Sequence, residues 1–315
     1  MKLYFYLSGL LFCIVLNTTS LKAQDASDDD STGLPGDNFS LAGALELFKK
    51  AGSPEDFEKS LNSEDSKVNN LDLNNDGNTD YIRVIDKKEN NVHVFILQAL
   101  VAENESQDIA VIELEKTGAG SAVVQITGDE DIYGEEEIVE PGNEGDNAYH
   151  MATGSTVAHG PNADIDTEIF DSGAGIVVNV WAWPCVRFVY APAYVVWVSP
   201  WGWARRPMWW RPWRPLYWAA YRPIRYNYHR HYTVVHTHRI VHARSIYRPV
   251  RVSSVSVRTR HQVAVNNYRV NRTTQRRTVT TANGNKYQVT KRTTTVNGRH
   301  GKAHHSHTTV RKKRR

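Results

Sequence analysis

The residues best suited to chemistry form one oxygen-rich run, Asp72-Leu73-Asn74-Asn75-Asp76-Gly77-Asn78-Thr79-Asp80. Counted from Asp72, it sets side-chain oxygens at positions 1, 3, 5 and 9, a glycine at 6 for a tight bend and the Asn78 carbonyl at 7, which is the donor set of a hard cation. Asp72, Asn74, Asp76, Asn78 and Asp80 are therefore the candidate ligands, and calcium is the expected cofactor. Position 12, where a bidentate Glu completes such a loop, is Arg83. That exchange predicts weak binding, or a ligand brought in from Asp129, Glu130 or Asp131. Clusters of Asn, Asp and Gly also make plain turns with no metal, and the sequence leaves both outcomes open.

A second constellation lies between Trp181 and Pro223, a stretch that holds all nine tryptophans. Here Trp201, Trp203, Arg205, Arg206, Trp209, Trp210, Arg211, Trp213, Arg214 and Trp218 interleave indole rings with guanidinium groups. Indoles favour bilayer interfaces, and guanidinium groups pair with phosphate while stacking on rings. These residues are the candidate anion- or membrane-binding surface; the alternative is that the rings pack a small proline-braced β unit. A third set, His229, His231, His236 and His238, contains pairs at i, i+2 that share one face of a strand and could chelate zinc or copper. No Cys or carboxylate stands near them in sequence, so the plainer role is positive charge gained at falling pH.

The charge is divided as sharply as the chemistry. Residues 1–171 hold all 34 acidic residues and 10 of the 38 Lys and Arg, whereas residues 172–315 hold the other 28 cations and no acid. Such segregation speaks to partners rather than fold: the cationic portion suits anionic lipid or polysaccharide, or the chain's own acidic half. Enzyme signatures are missing, with no GxSxG, GxxxxGK[ST], HExxH or paired-Cys motif, so no catalytic role is expected.

The elements that must position these groups follow in order. An apolar run from Leu3 to Leu16 ahead of Ala23 reads as a secretory signal over residues 1–23, and residues 24–38 as a disordered acidic leader. Residues 39–140 read as an α+β domain. Leu41, Ala44, Leu45 and Phe48 fall at helical spacing, and Ser53-Pro54 opens a second helix. Period-two segments near 79–86, 92–101, 108–115 and 121–127 then predict four strands joined by short hairpins. Two short N-terminal helices packed on a four-stranded antiparallel meander is the expected architecture. Residues 141–175 read as a linker, 176–223 as a Trp/Arg/Pro-rich β segment in which the X-Pro pairs disfavour helix, and 224–315 as a largely disordered basic low-complexity tail. No transmembrane helix is expected, and Cys185, the one cysteine beyond the signal, can form no internal disulfide.

Residues 72–80 resemble the calcium loops of EF-hand and dockerin proteins and, since strands surround them, those of FG-GAP and thrombospondin-type repeats. The wider pattern, LDLNNDGNTDYIRV followed far downstream by YVVWVSPWGW, is similar to uncharacterised exported proteins of Gram-negative bacteria. That resemblance implies a location in the periplasm, at the outer membrane or outside the cell, and no activity. The expected function is non-catalytic binding of anionic envelope glycolipid, phospholipid or polysaccharide, with peripheral membrane contact and no specific nucleic acid. The alternatives are a histidine-based transition-metal binder and a structural protein whose tail docks on its own acidic domain.

Overall fold

The computed structural model describes residues 31–142 and 177–312, save 229, 230, 236, 268, 281–285 and 299–300, and beyond residue 265 it is the backbone that is described. The expected signal at 1–23, the start of the leader and nearly all of the expected linker lie outside the described residues.

Ser40 and Ser53 start the first two helices, each side chain accepting the backbone N–H three residues on, from Gly43 at 3.0 Å and Asp56 at 3.1 Å. The resulting α1 (Leu41–Lys50) and α2 (Pro54–Leu61) bury Leu41, Leu45, Phe48, Phe57 and Leu61. They pack on four antiparallel strands in hairpin order, β1 (Ile82–Glu89), β2 (Val92–Ala102), β3 (Glu105–Gly118) and β4 (Ser121–Gly128). Asn90 at φ 52° and Gly120 at φ 72° take the left-handed conformation that the tight β1–β2 and β3–β4 turns require. The α+β expectation holds, but the sheet is wider than four strands. A short helix, α3 (Glu130–Tyr133), leads to β5 (Glu137–Pro141), and the sixth strand, β6 (Tyr232–Val235), comes from the expected tail.

Both faces of the sheet are covered, because β2 is apolar on both. Phe95, Leu97 and Ala99 meet the N-terminal helices, and Val92, Val94 and Ile96 lie on the opposite face under Ile240 and Ala243. Ala243 belongs to α6 (Val241–Tyr247).

The Trp/Pro-rich segment departs from the expected β structure. Pro184 sits at the first position of α4 (Pro184–Val189), where its missing N–H costs nothing. A second helix, α5 (Trp218–Tyr228), runs through Pro223. The proline removes one helical hydrogen bond, but tertiary anchors outweigh the loss: the Tyr221 hydroxyl donates to the Val68 carbonyl and the Tyr228 hydroxyl to that of Ser66, both at 2.7 Å. Strand-like pairing in the segment's described residues is limited to two isolated bridges, Gly202 with Arg205 and Val198 with Ile85, and at the latter residues 197–199 cover the β1 edge.

Two further expectations are corrected. Residues 31–38 are not a solvated leader: Leu34, Pro35 and Gly36 are buried, and Ser31, Thr32 and the Gly33 N–H all donate to the Asp37 carboxylate. Nor is the near part of the tail a chain awaiting a partner, since Tyr232, Ile240, Ala243 and Val257 are buried on the domain. Helix α7 (Val255–Asn267) and an antiparallel three-stranded sheet, β7 (Arg269–Thr280), β8 (Lys286–Gly298) and β9 (Gly301–Lys312), complete the described chain.

Candidate functional site

The oxygen-rich run folds as a closed bend directly ahead of β1. Asp72 accepts the N–H groups of Asp76 at 3.0 Å and Gly77 at 2.9 Å, Asn74 Oδ1 accepts that of Asp76 at 2.9 Å, and Asp76 accepts that of Asn78 at 2.8 Å. Gly77 stands at φ 83° and Asn75 at φ 59°, which is why Gly and Asn occupy these positions. Asp80 is buried and accepts the Leu73 N–H at 2.6 Å. Burial first, and then the Asp72 and Asp76 carboxylates, push its carboxyl up to about 7.

The donors are all oxygen, which suits a hard cation, but the set is short of the number that such an ion takes. Asn78 turns its amide to the Asp76 carbonyl, and Arg83 bonds Gln98 rather than the loop. The outside ligands expected from Asp129, Glu130 or Asp131 are not delivered, because Arg251 holds all three, at 2.6, 3.5 and 2.8 Å. Among the described residues no group of three or more His, Cys, Asp or Glu has metal-holding geometry.

The tryptophan segment meets this loop. The Thr79 N–H donates to the Trp213 carbonyl at 2.8 Å, and the Trp213 N–H to the Thr79 hydroxyl at 3.3 Å. Arg206, which faces Asp80 electrostatically, lies 5.5, 5.1 and 5.3 Å from the ring centroids of Tyr81, Trp203 and Trp210. It is caged rather than offered to solvent. Arg205 lies 5.5 Å from the Trp201 ring, and Arg211 donates to the carbonyls of Met208 and Trp210. Trp210 is buried, and Trp201, Trp213 and Trp218 are half-buried. Of the named indoles only Trp203 and Trp209 are exposed, at 37 and 45 %. Most of the segment is therefore packing, and the part left to bind is two turns.

Cations of the near tail are spent on the acidic half. Arg239 pairs both Glu140 oxygens at 2.7 and 2.9 Å, Arg244 pairs Glu136 at 2.8 and 3.0 Å, and Arg225 lies 3.9 Å from Asp37. Tyr247 joins Asp108 to Asp129 through its hydroxyl, and Arg260 donates to the Leu73 carbonyl within the calcium-like loop. No family model, curated protein or solved structure matches this chain. Its site therefore stands on this geometry alone.

Only two members of the histidine set are described. His229 and His236 lie outside the described residues, His231 is exposed, and His238 bonds Glu136 at 3.1 Å. Two buried polar groups that pattern reading passed over organise the site. Glu58 accepts from the Tyr81 hydroxyl at 2.7 Å, the Ser199 hydroxyl at 2.8 Å and the Val84 N–H at 2.8 Å, so one carboxylate ties α2, β1 and the tryptophan segment together. The fully buried His93 bonds the Asp86 carboxylate at 2.9 Å, which also accepts from Tyr194 at 2.7 Å. The signal for Glu58 was its place between Phe57 and Leu61 on the face of α2 that must be buried.

Proposed function

We propose that the chain is a non-catalytic binding protein that grips anionic material of the cell envelope, lipid headgroup or acidic polysaccharide, with the basic sheet β7–β9. The observation that carries this reading is how the cations divide. Arg225, Arg239, Arg244, Arg251 and Arg258 meet carboxylates of the folded half. The three strands hold ten Lys and Arg and no acid. Register places Thr274, Arg292 and His307 in one cross-strand row and Gln275, Lys291 and Thr308 in the next. Successive rows lie on opposite faces, so cations occur on both. A sequence of that pattern, with no acid among ten cations, attracts opposite charge. Tail contacts on the domain are described for residues 225–260, and the reading assigns the sheet to an outside partner. An exported chain with weak calcium binding at Asp72, Asn74, Asp76 and Asp80 accords with the reading.

The test is binding of the full-length protein to lipopolysaccharide and to an acidic polysaccharide, beside a variant carrying Gln at Arg272, Arg276, Arg277, Lys291 and Arg292. Affinity should fall with rising salt and drop at least about tenfold in the variant. Equal binding by both proteins would refute the role of the sheet.

A further inference from the structure

We infer that the turns at residues 202–205 and 207–210 form a second, separate binding surface, an anchor that enters the interface of an anionic phospholipid bilayer. Each turn is closed by its own backbone, Gly202 and Arg205 exchanging two hydrogen bonds at 3.1 Å and the Trp210 N–H donating to the Pro207 carbonyl at 3.1 Å. Arg206 braces them from beneath through Trp203 and Trp210. The tips are therefore preorganised, and what they present is apolar: Met208 is 91 % exposed, Trp209 45 % and Trp203 37 %. Three large apolar side chains held out on adjoining rigid turns are costly in water.

Charge selects the occupant. Arg205, Arg211 and Arg214 are exposed around the tips, Lys59 of α2 stands 5.9 Å from the Trp209 ring, and residues 172–228 carry no carboxylate. Asp80 faces Arg206, which opposes its charge. A rim of cations around protruding indole and thioether groups matches a bilayer interface, where rings sit at the headgroup boundary and guanidinium groups pair with phosphate. A protein partner would have to supply both an apolar socket and an acidic rim; an anionic bilayer supplies both everywhere on its surface. The surface uses none of the residues of the basic sheet, so either reading can fail while the other stands.

The experiment uses the full-length protein with vesicles of phosphatidylglycerol and phosphatidylcholine, some brominated in the acyl chains. Tryptophan emission should shift to the blue, and the bromines should quench it. The W203S/M208S/W209S variant should lose the bromine-dependent quenching and bind at least about tenfold more weakly, and M208S alone, at a side chain that is 91 % exposed, should keep the urea midpoint of the parent while still binding more weakly. The sheet variant with five Gln should keep the quenching once bound. Quenching that persists in the triple variant, or no quenching in the parent protein, overturns the inference. Equal insertion into pure phosphatidylcholine overturns its electrostatic part.

Discussion

Arg251 grips both oxygens of Asp129, with Nε 2.6 Å from Oδ2 and Nη2 2.8 Å from Oδ1, while Nη2 also stands 2.8 Å from Asp131. Asp129 is 6 % exposed, so losing the guanidinium leaves a buried carboxylate unpaired. Arg251→Gln is expected to cost about 2–4 kcal/mol of stability, read as a lower urea midpoint. Arg258→Gln, whose side chain is 62 % exposed, should cost less than about 1 kcal/mol.

Glu58→Gln tests the central tie. Glu58 receives donors from Tyr81, Ser199 and Val84, and an amide there turns an N–H toward one of them. A loss of about 1–3 kcal/mol is expected, together with faster tryptic cleavage after Arg205 as residues 197–213 loosen. Unchanged cleavage would show that the segment is held by its rings alone.

Burial pushes the carboxyl of Glu113 up to about 8, that of Asp80 to about 7 and that of Asp108 to about 6. Each is raised in the folded state, so the native protein keeps protons that the unfolded chain has already released. Stability is full below pH about 4 for these groups and declines as pH climbs to about 8. Each contributes at most about 1.4 kcal/mol per pH unit in that window. The urea midpoint should fall between pH 5 and pH 8.5, and by less in Glu113→Gln. Parallel falls in the two proteins would count against Glu113 as a source.

Calcium at the bend formed by residues 72–80 should act weakly, since Arg83 takes the place of the bidentate acid. At ten times a dissociation constant of about 1 mM, stabilisation is about 1.4 kcal/mol, a rise in Tm of roughly 2–5 °C. Asp72→Asn together with Asp76→Asn should abolish the rise. Magnesium in place of calcium should give a smaller one, because Mg2+ gives up its water reluctantly.

Local signals were legible because local physics decides them. Ser40, Ser53 and Pro54 announce helix starts whatever packs on them, and the turns at Asn90 and Gly120 depend on a few residues each. The covering of the second face was written in residues 92–101, whose apolar side chains occupy both strand faces; a meander with one wet face would have alternated. What pattern reading could not supply was the cover itself. Ile240, Ala243 and Val257 are sparse among cations, and their docking rests on carboxylates more than a hundred residues away. Pro223 misled for the same reason: a proline's local veto on helix was outweighed by the distant hydroxyl contacts of Tyr221 and Tyr228, whereas Pro184 opens its helix at the position that tolerates proline. The run from Asp72 to Asp80 does fold as one closed bend, yet the fate of Asp129, Glu130 and Asp131 depended on Arg251, which no spacing rule links to them.

The sheet's sixth strand and the lid of its second face are both built from beyond residue 230. During synthesis the first half of the molecule therefore emerges with one flank of β5 unpaired and Val92, Val94 and Ile96 bare. It waits for nearly a hundred further amino acids before either is closed. Without the residues beyond 230 the first half would keep an open, negatively charged flank, which the arginines of the second half cover.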